Sequence, residues 1–486
     1  MFNNIIYFIF VLLIFNIPAP GNAAKTDLLL CVSGLIFAWL VFAGYCRWSL
    51  GSLLKQVDQG TTDDGHLASQ YQKLIAKLSI LAVVLFGLAT FLFDVKYWIL
   101  TIPGFHHCSV VQGALALSLF FFYLSTTWYF AYPGYRVIFQ QDITRRSYIR
   151  SNLRLNVPIL FPWLVFSFIY DLIDLSPWAG PKDFLNSVQG QITFFACVLI
   201  ILMIFVPSII QYLWGCNPLK RSEKGRLLEN FLQEKGFRYR ALLKWPIFEG
   251  RMLTAGIMGI LPRFRYILIT KSLLEALSLE ELKGVLAHEM GHAKYHHLLF
   301  YMLFFVGFVV LSFGLFDLFF YLSYINPSLT EMISEGSNLG ISLFYLLLSI
   351  PMLITLLIYF RYVMGFFMRN FERQADLYSA VTMGTPGPTI TSLEKIGILS
   401  GKIRDLPSWH HFSIRERVEY LWRMLKDPGL VRRHNRFIVF SFSAYLVCLV
   451  GLGYFLNFSP IKEQLAYSLL RKELSQQVLK EPNNMA

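Results

Sequence analysis

The chain has 486 residues, of which 55% are hydrophobic and only 15% charged, and its mean hydropathy is +0.51. Soluble domains carry about 25% charged residues, so this composition excludes an ordinary soluble enzyme and indicates a polytopic membrane protein. The net charge of +13 does not signal nucleic acid, because the basic residues sit in the loops on one side of the membrane and are not grouped with aromatic residues for base stacking.

About 20 apolar residues cross the hydrocarbon core. On that rule spans are expected near 5–17, 27–46, 75–93, 111–131, 153–174 and 191–214, with three more near 298–325, 339–365 and 436–457. The first is short, lacks an N-terminal Lys or Arg and is followed by Gly21-Asn22-Ala23-Ala24, so it reads as an anchor, giving nine spans, or as a cleaved signal peptide, leaving eight. The expected fold class is a predominantly α-helical multi-pass protein with a small α+β domain interrupted by a transmembrane hairpin. Its divisions are 1–214, a membrane region of six spans; 215–297 and 366–435, two halves of one soluble domain; 298–365, the hairpin; 436–457, the last span; and 458–486, a tail.

Lys and Arg counted loop by loop set the orientation. The loops near 47–77, 132–152 and 215–297 hold Arg47, Lys55, Lys73 and Lys77, then Arg136, Arg145, Arg146 and Arg150, then fourteen basic residues from Lys220 onward. The intervening loops hold Lys25, Lys96 and Lys182 alone. This alternation puts the soluble halves in the cytoplasm, with a bacterial inner membrane as the expected setting. The tail, with Lys462, Arg471, Lys472 and Lys480, falls outside and reads as a short amphipathic helix. The six cysteines are scattered with no C-x-x-C pair, and imply packing, with neither a disulfide framework nor a cysteine metal site.

Residues 250–270 alternate and carry the glycine punctuation of a β-hairpin, with Ile267–Thr270 as a strand. Ser278, with Glu281 three residues on, then starts a helix through a capping box. That helix runs into His288-Glu289-Met290-Gly291-His292, an H-E-x-x-H motif. Four positions apart on a helix, the two histidines share a face and can bind one Zn²⁺, while Glu289 serves as general base toward a water at the metal. A catalytic zinc wants a third protein ligand. The metzincin solution fails, since Tyr295 and Leu298 stand where Gly and His are required. A glutamate from a second helix fits: in Arg369-Asn370-Phe371-Glu372-Arg373-Gln374-Ala375-Asp376, Glu372 can bind zinc while Asp376, on the same face, fixes a liganding histidine's tautomer. A two-span hairpin returns the chain to its starting side, so the second half faces the first. His296 and His297 read as interfacial residues ending a helix, and His106 and His107 as loop residues. Asp171 and Asp174 mark a span end, while Asp317 is a candidate for a polar cavity.

In combination these motifs resemble the membrane gluzincins, the family of type I CaaX prenyl proteases and HtpX-like heat-shock metalloproteases. The resemblance covers about 215–425 and implies a zincin-like α+β domain there. It implies Glu372 as third ligand, with Asp376, Arg369 and Arg417 around the centre, and one zinc per chain. A third family element, a His-Pro segment with Arg six residues on, matches His411 and Arg417, with Phe412 in place of Pro. By resemblance His411 stabilises the oxyanion, a role that neighbouring His410 could also fill. The family's Asn-Ala-x-x-x-Gly edge strand corresponds to Thr254-Ala255-Gly256-Ile257-Met258-Gly259, with Thr for Asn, and implies substrate alignment by Thr254, Ala255 and Gly256 through main-chain hydrogen bonds. The implied activity is zinc-dependent endoproteolysis of membrane or membrane-associated proteins, for quality control ahead of CaaX-type processing; a transporter or receptor with a zinc-regulated domain is the competing class. Expected partners are a protein substrate and the bilayer, with no nucleic acid.

Overall fold

The computed structural model describes residues 2–16, 27–58, 64–105, 108–139, 143–246, 253–326, 338–399, 404–405 and 408–459, with 464, 468 and 471 as isolated positions. Gly21–Ala24, His106, His107, the loop after 326 and nearly all of the tail lie outside the described residues, as do 250–252 at the start of the expected hairpin.

Helices dominate. The membrane region contains α1 (Phe2–Asn16), α2 (Leu28–Asp58), α3 (Asp64–Phe91), the short α4 (Val95–Leu100), α5 (Ser109–Ile138), α6 (Arg145–Asn156), α7 (Phe161–Leu175), α8 (Ala179–Asn186) and α9 (Val188–Leu213). The chain is a multi-pass integral membrane protein: among the described residues seven helices are long and apolar enough to cross a bilayer, or eight if the bent pair α6–α7 counts as one span. That revises the expected nine. At 15 residues, α1 reaches only about 22 Å at 1.5 Å per residue, short of the roughly 30 Å core. The fifth expected span is broken by 52° between Asn156 and Phe161, where Pro158 removes a backbone donor. A buried aromatic core of Phe8, Phe42, Phe86, Phe120, Tyr123 and Trp128 ties α1, α2, α3 and α5 together. Asp171, buried on α7, accepts a hydrogen bond from the Val110 amide at 2.8 Å, so this intramembrane acid serves the N-terminus of α5, where orphan amides favour an anion.

A four-stranded sheet follows, in the order β1-β2-β4-β3, from β1 (Asn217–Pro218), β2 (Ala241–Trp245), β3 (Ala255–Met258) and β4 (Tyr266–Thr270). β3 and β4 pair antiparallel, as the hairpin pattern predicts, while β2, which follows α10 (Glu223–Glu234), runs parallel to β4. Every residue of β4 is buried, which explains its unbroken apolar run. After α11 (Lys271–Ala276), α12 (Leu279–Lys294) packs on this sheet through Leu282, Leu286 and Met290 against Ile267 and Ile269. Its start is the predicted capping box: Glu281 accepts from the Ser278 amide and Ser278 from the Glu281 amide.

The hairpin consists of α13 (His297–Ile325) and α14 (Asn338–Ile358). α14 passes through a π-helical segment, Tyr359–Met364, directly into α15 (Gly365–Met383), so one rod runs from the membrane to the site without a loop at 365. Then come α16 (Gly387–Leu399), α17 (Ile414–Lys426) and the last span, α18 (Gly429–Phe458). Phe304, Tyr359, Phe367, Phe371 and Phe442 form a second aromatic core that welds α13, α15 and α18 beneath the site.

Candidate metal centre

The site sits where α12 crosses α15. Gly291 and Ala375 meet there, and a Cβ on Gly291 would lie 2.9 Å from the Ala375 Cα. Two small residues therefore set the helix spacing that lets a glutamate on α15 reach the histidines of α12. His288 Nε2 and His292 Nε2 are 3.1 Å apart, and the Glu372 carboxylate lies 3.5 Å from the first and 3.4 Å from the second. Donors held about 2.0–2.1 Å from a tetrahedral zinc are separated by about 3.3–3.4 Å. The three lone pairs thus converge as zinc requires, and this is the one His/Cys/Asp/Glu cluster with metal-ligand geometry among the described residues.

Each histidine is oriented through its other nitrogen. His288 Nδ1 donates to Asp376 Oδ1 at 2.9 Å, which directs its Nε2 lone pair into the site. Arg417, from α17, holds Asp376 through two bonds of 2.7 and 2.8 Å and lies 3.6 Å from Glu372. On the other side His292 Nδ1 meets His297 Nδ1 at 2.8 Å, and His297 Nε2 lies 2.9 Å from Gln374 Oε1. Because Gln374 Nε2 donates to Asn435 Oδ1 at 2.8 Å, its Oε1 faces His297 and accepts. His297 then donates from Nε2 and accepts at Nδ1, which makes His292 a donor at Nδ1 and leaves its Nε2 lone pair for a metal.

The electrostatics agree. Burial opposes a positive charge on His288, yet Asp376 and Glu372 outweigh it and hold its pKa up at about 10, while burial lowers His292 to about 4. Asp376 and Glu372 thus favour positive charge beside His288, whereas burial keeps His292 neutral. Burial also pushes the Glu289 carboxyl up to about 7, against the pull of His288, in the range suited to taking and returning a proton near neutral pH.

Glu289 lines a cleft of about 520 Å³ together with the ligands, His410, His411 and β3. β3 is the sheet's edge strand. Thr254 exchanges bonds with Thr270, so by alternation Gly256 and Met258 turn inward and Ala255 and Ile257 turn their amides toward the cleft. The Ile257 amide donates to Glu289. Thr254 and Gly256 thus line the cleft but spend their main chain on β4, and Ile257, which the sequence reading passed over, takes the outward place beside Ala255.

His411 Nδ1 stands 3.0 Å from Glu372 Oε2, while His410 lies 3.4 Å from the Ser408 hydroxyl. Arg369 touches none of the ligands; it donates to the Trp409 carbonyl at 2.7 Å and so braces the loop that carries both histidines. By sequence His297 reads as an interfacial residue ending a helix, whereas it is fully buried and stacked on Phe371 with ring centroids 4.3 Å apart. Five residues beyond His292, a histidine on a continuous helix points elsewhere. The left-handed backbone of His296, at φ 57°, ends α12 and turns His297 back onto its neighbour.

Comparison with known proteins agrees with this geometry. Residues 225–428 match the model of Peptidase family M48. A protein named Protease HtpX homolog from Bacteroides fragilis strain YCH46 is 36% identical over 105 residues, which are 21% of this chain and 32% of that protein. Its counterpart from strain ATCC 25285 is 35% identical over the same extent. The chain therefore matches about a third of the length of these curated relatives. The crystal structure of S. mikatae Ste24p superposes with a TM-score of 0.51 over 82% of this chain and 100% of that one, at 19% identity, a likeness of fold. Residues 225–428 thus match the Peptidase family M48 model and contain His288, His292 and Glu372, the cluster whose geometry suits a zinc ion.

Proposed function

We propose that the whole chain is an integral-membrane zinc metalloendopeptidase acting on membrane or membrane-associated proteins, in quality control ahead of processing of lipidated C-termini. The observation that carries this reading is the edge strand β3 running beside the metal ligands with Glu289 bonded to it. An extended peptide added to β3 through Ala255 and Ile257 lies in register with the strand, and its scissile carbonyl comes to rest beside His288, His292 and Glu372. When bound, zinc supplies Lewis acidity for that carbonyl and for an attacking water. Glu289 takes the proton of the water and returns it to the leaving amine. His411 donates toward the charge that develops on the carbonyl oxygen. Arg417 and Asp376 keep His288 in its metal-binding tautomer.

The basic loops support a cytoplasmic face for the centre, and a bacterial inner membrane is the proposed setting. Residues 215–297 and 366–435 then form the two parts of one catalytic unit across the hairpin. The strand-addition reading is tested with a peptide that the protein cleaves, N-methylated in turn at each backbone amide. Cleavage should vanish at alternate positions flanking the scissile bond. Uniform tolerance of methylation would reject β3 as the substrate guide. A prenylated C-terminal peptide cleaved in preference to unfolded membrane segments would move the assignment to the processing class.

A further inference from the structure

A second cleft, of about 520 Å³, opens between α15, α17 and α18 and shares Phe412 with the first. Arg369, Arg373 and Arg433 line it, with the rings of Phe412, Tyr420 and Phe437. Arg373 is its centre. Its guanidinium carbon lies 3.4 Å from the Phe412 ring centroid and 4.7 Å from that of Tyr420. Its Nε is buried without a hydrogen-bond partner, and among the described residues no carboxylate forms an ion pair with it. The surrounding acids are engaged elsewhere: Asp427 by Arg433, Glu416 by the Ser413 cap, and Asp376 by Arg417. An arginine pinned between two rings, with no carboxylate bonded to it, is a preorganised receptor for a phosphate, and Arg433 beside it keeps guanidinium donors beyond the one spent on Asp427.

The location selects the source of that phosphate. Arg432, Arg433 and Arg436 occupy the first two turns of α18, and the helix then continues through the apolar stretch Phe437–Phe458. In the same way the apolar α14 ends just before Arg361. The cleft therefore opens at the level where headgroups meet acyl chains. Phe366 and Phe437, in contact with centroids 6.1 Å apart, are 36% and 45% exposed and present an apolar face beside the arginines. We infer that this cleft binds an anionic phospholipid, with its phosphate on Arg373 and Arg433 and its acyl chains along Phe366 and Phe437.

The test is native mass spectrometry of the full-length protein in detergent, offered phosphatidylglycerol and phosphatidylcholine in equal amounts, with inorganic phosphate as competitor. Wild type should retain phosphatidylglycerol in preference. Arg373→Gln and Arg433→Gln should each reduce retention about fivefold, the weight of one basic residue near an anionic surface. Arg432→Gln, which lines a different cleft on α18, should leave it unchanged. Arg433 is 62% exposed in its side chain, so its substitution tests the site without endangering the fold. Equal retention of the two lipids, or a preference that survives both substitutions, would overturn the inference. Inorganic phosphate that binds with the same arginine dependence, without any lipid preference, would overturn the lipid occupant and assign the cleft to a soluble anion.

Discussion

The two metal-binding histidines lean on different chemistry. His288 rests on an anion, Asp376, which is clamped by a buried arginine from a third helix. His292 rests on a neutral imidazole, His297, at the head of a relay through Gln374 to Asn435 on the last span. The charged side raises basicity and attracts the cation, whereas the neutral side fixes a tautomer and adds no charge. The difference teaches that one face of the centre is held by electrostatics local to the soluble unit and the other by hydrogen bonds that reach the membrane helices.

Substitutions can break or sharpen that contrast. The largest effect is expected for Asp376→Ala, which strands Arg417 in a site where its side chain is 11% exposed. Loss of one partner of a buried pair costs about 3–5 kcal/mol, and zinc affinity should fall about 10–100-fold, read by chemical denaturation and chelator competition. Retention of both would mean that the charged side is dispensable. Gly291→Ala comes next. Its methyl enters at 2.9 Å from the Ala375 backbone, so the helices must part, at about 1–3 kcal/mol, with weaker zinc binding; unchanged affinity would show that the crossing tolerates more spacing than the geometry implies.

On the neutral side, His297→Asn should weaken zinc about tenfold while stability falls less than in Asp376→Ala. Combined with Asp376→Asn, its effect on affinity should couple by about 0.5–3 kcal/mol, because the two histidines converge on one metal. Strict additivity would contradict that convergence. Ser278→Ala removes only the cap of α12, so it should cost about 1 kcal/mol of stability and leave zinc affinity untouched.

The charged side was legible in the sequence because its signals are local. His288 and His292 are four apart, as are Glu372 and Asp376, and helical periodicity places each pair on one face. The capping box at Ser278 and the hairpin before it are equally short-range. His297 was not legible, because its place depends on a left-handed residue at His296 that no periodicity predicts. The resemblance places Arg369 around the centre, but on α15 it donates to the Trp409 carbonyl. Of the two expected span counts, nine and eight, the described helices reach the lower one when the bent pair α6–α7 counts as one span, since an apolar run reports composition and not the length of the rod that it forms.

The central claim is that this metal centre hydrolyses peptide bonds with Glu289 as its base. The most direct measurement is zinc content and peptide cleavage on one purified preparation of wild type and Glu289→Gln. One zinc per chain in both, with cleavage lowered about 10²–10⁴-fold in the variant, is the predicted result. Cleavage at the wild-type rate by zinc-loaded Glu289→Gln would contradict the account.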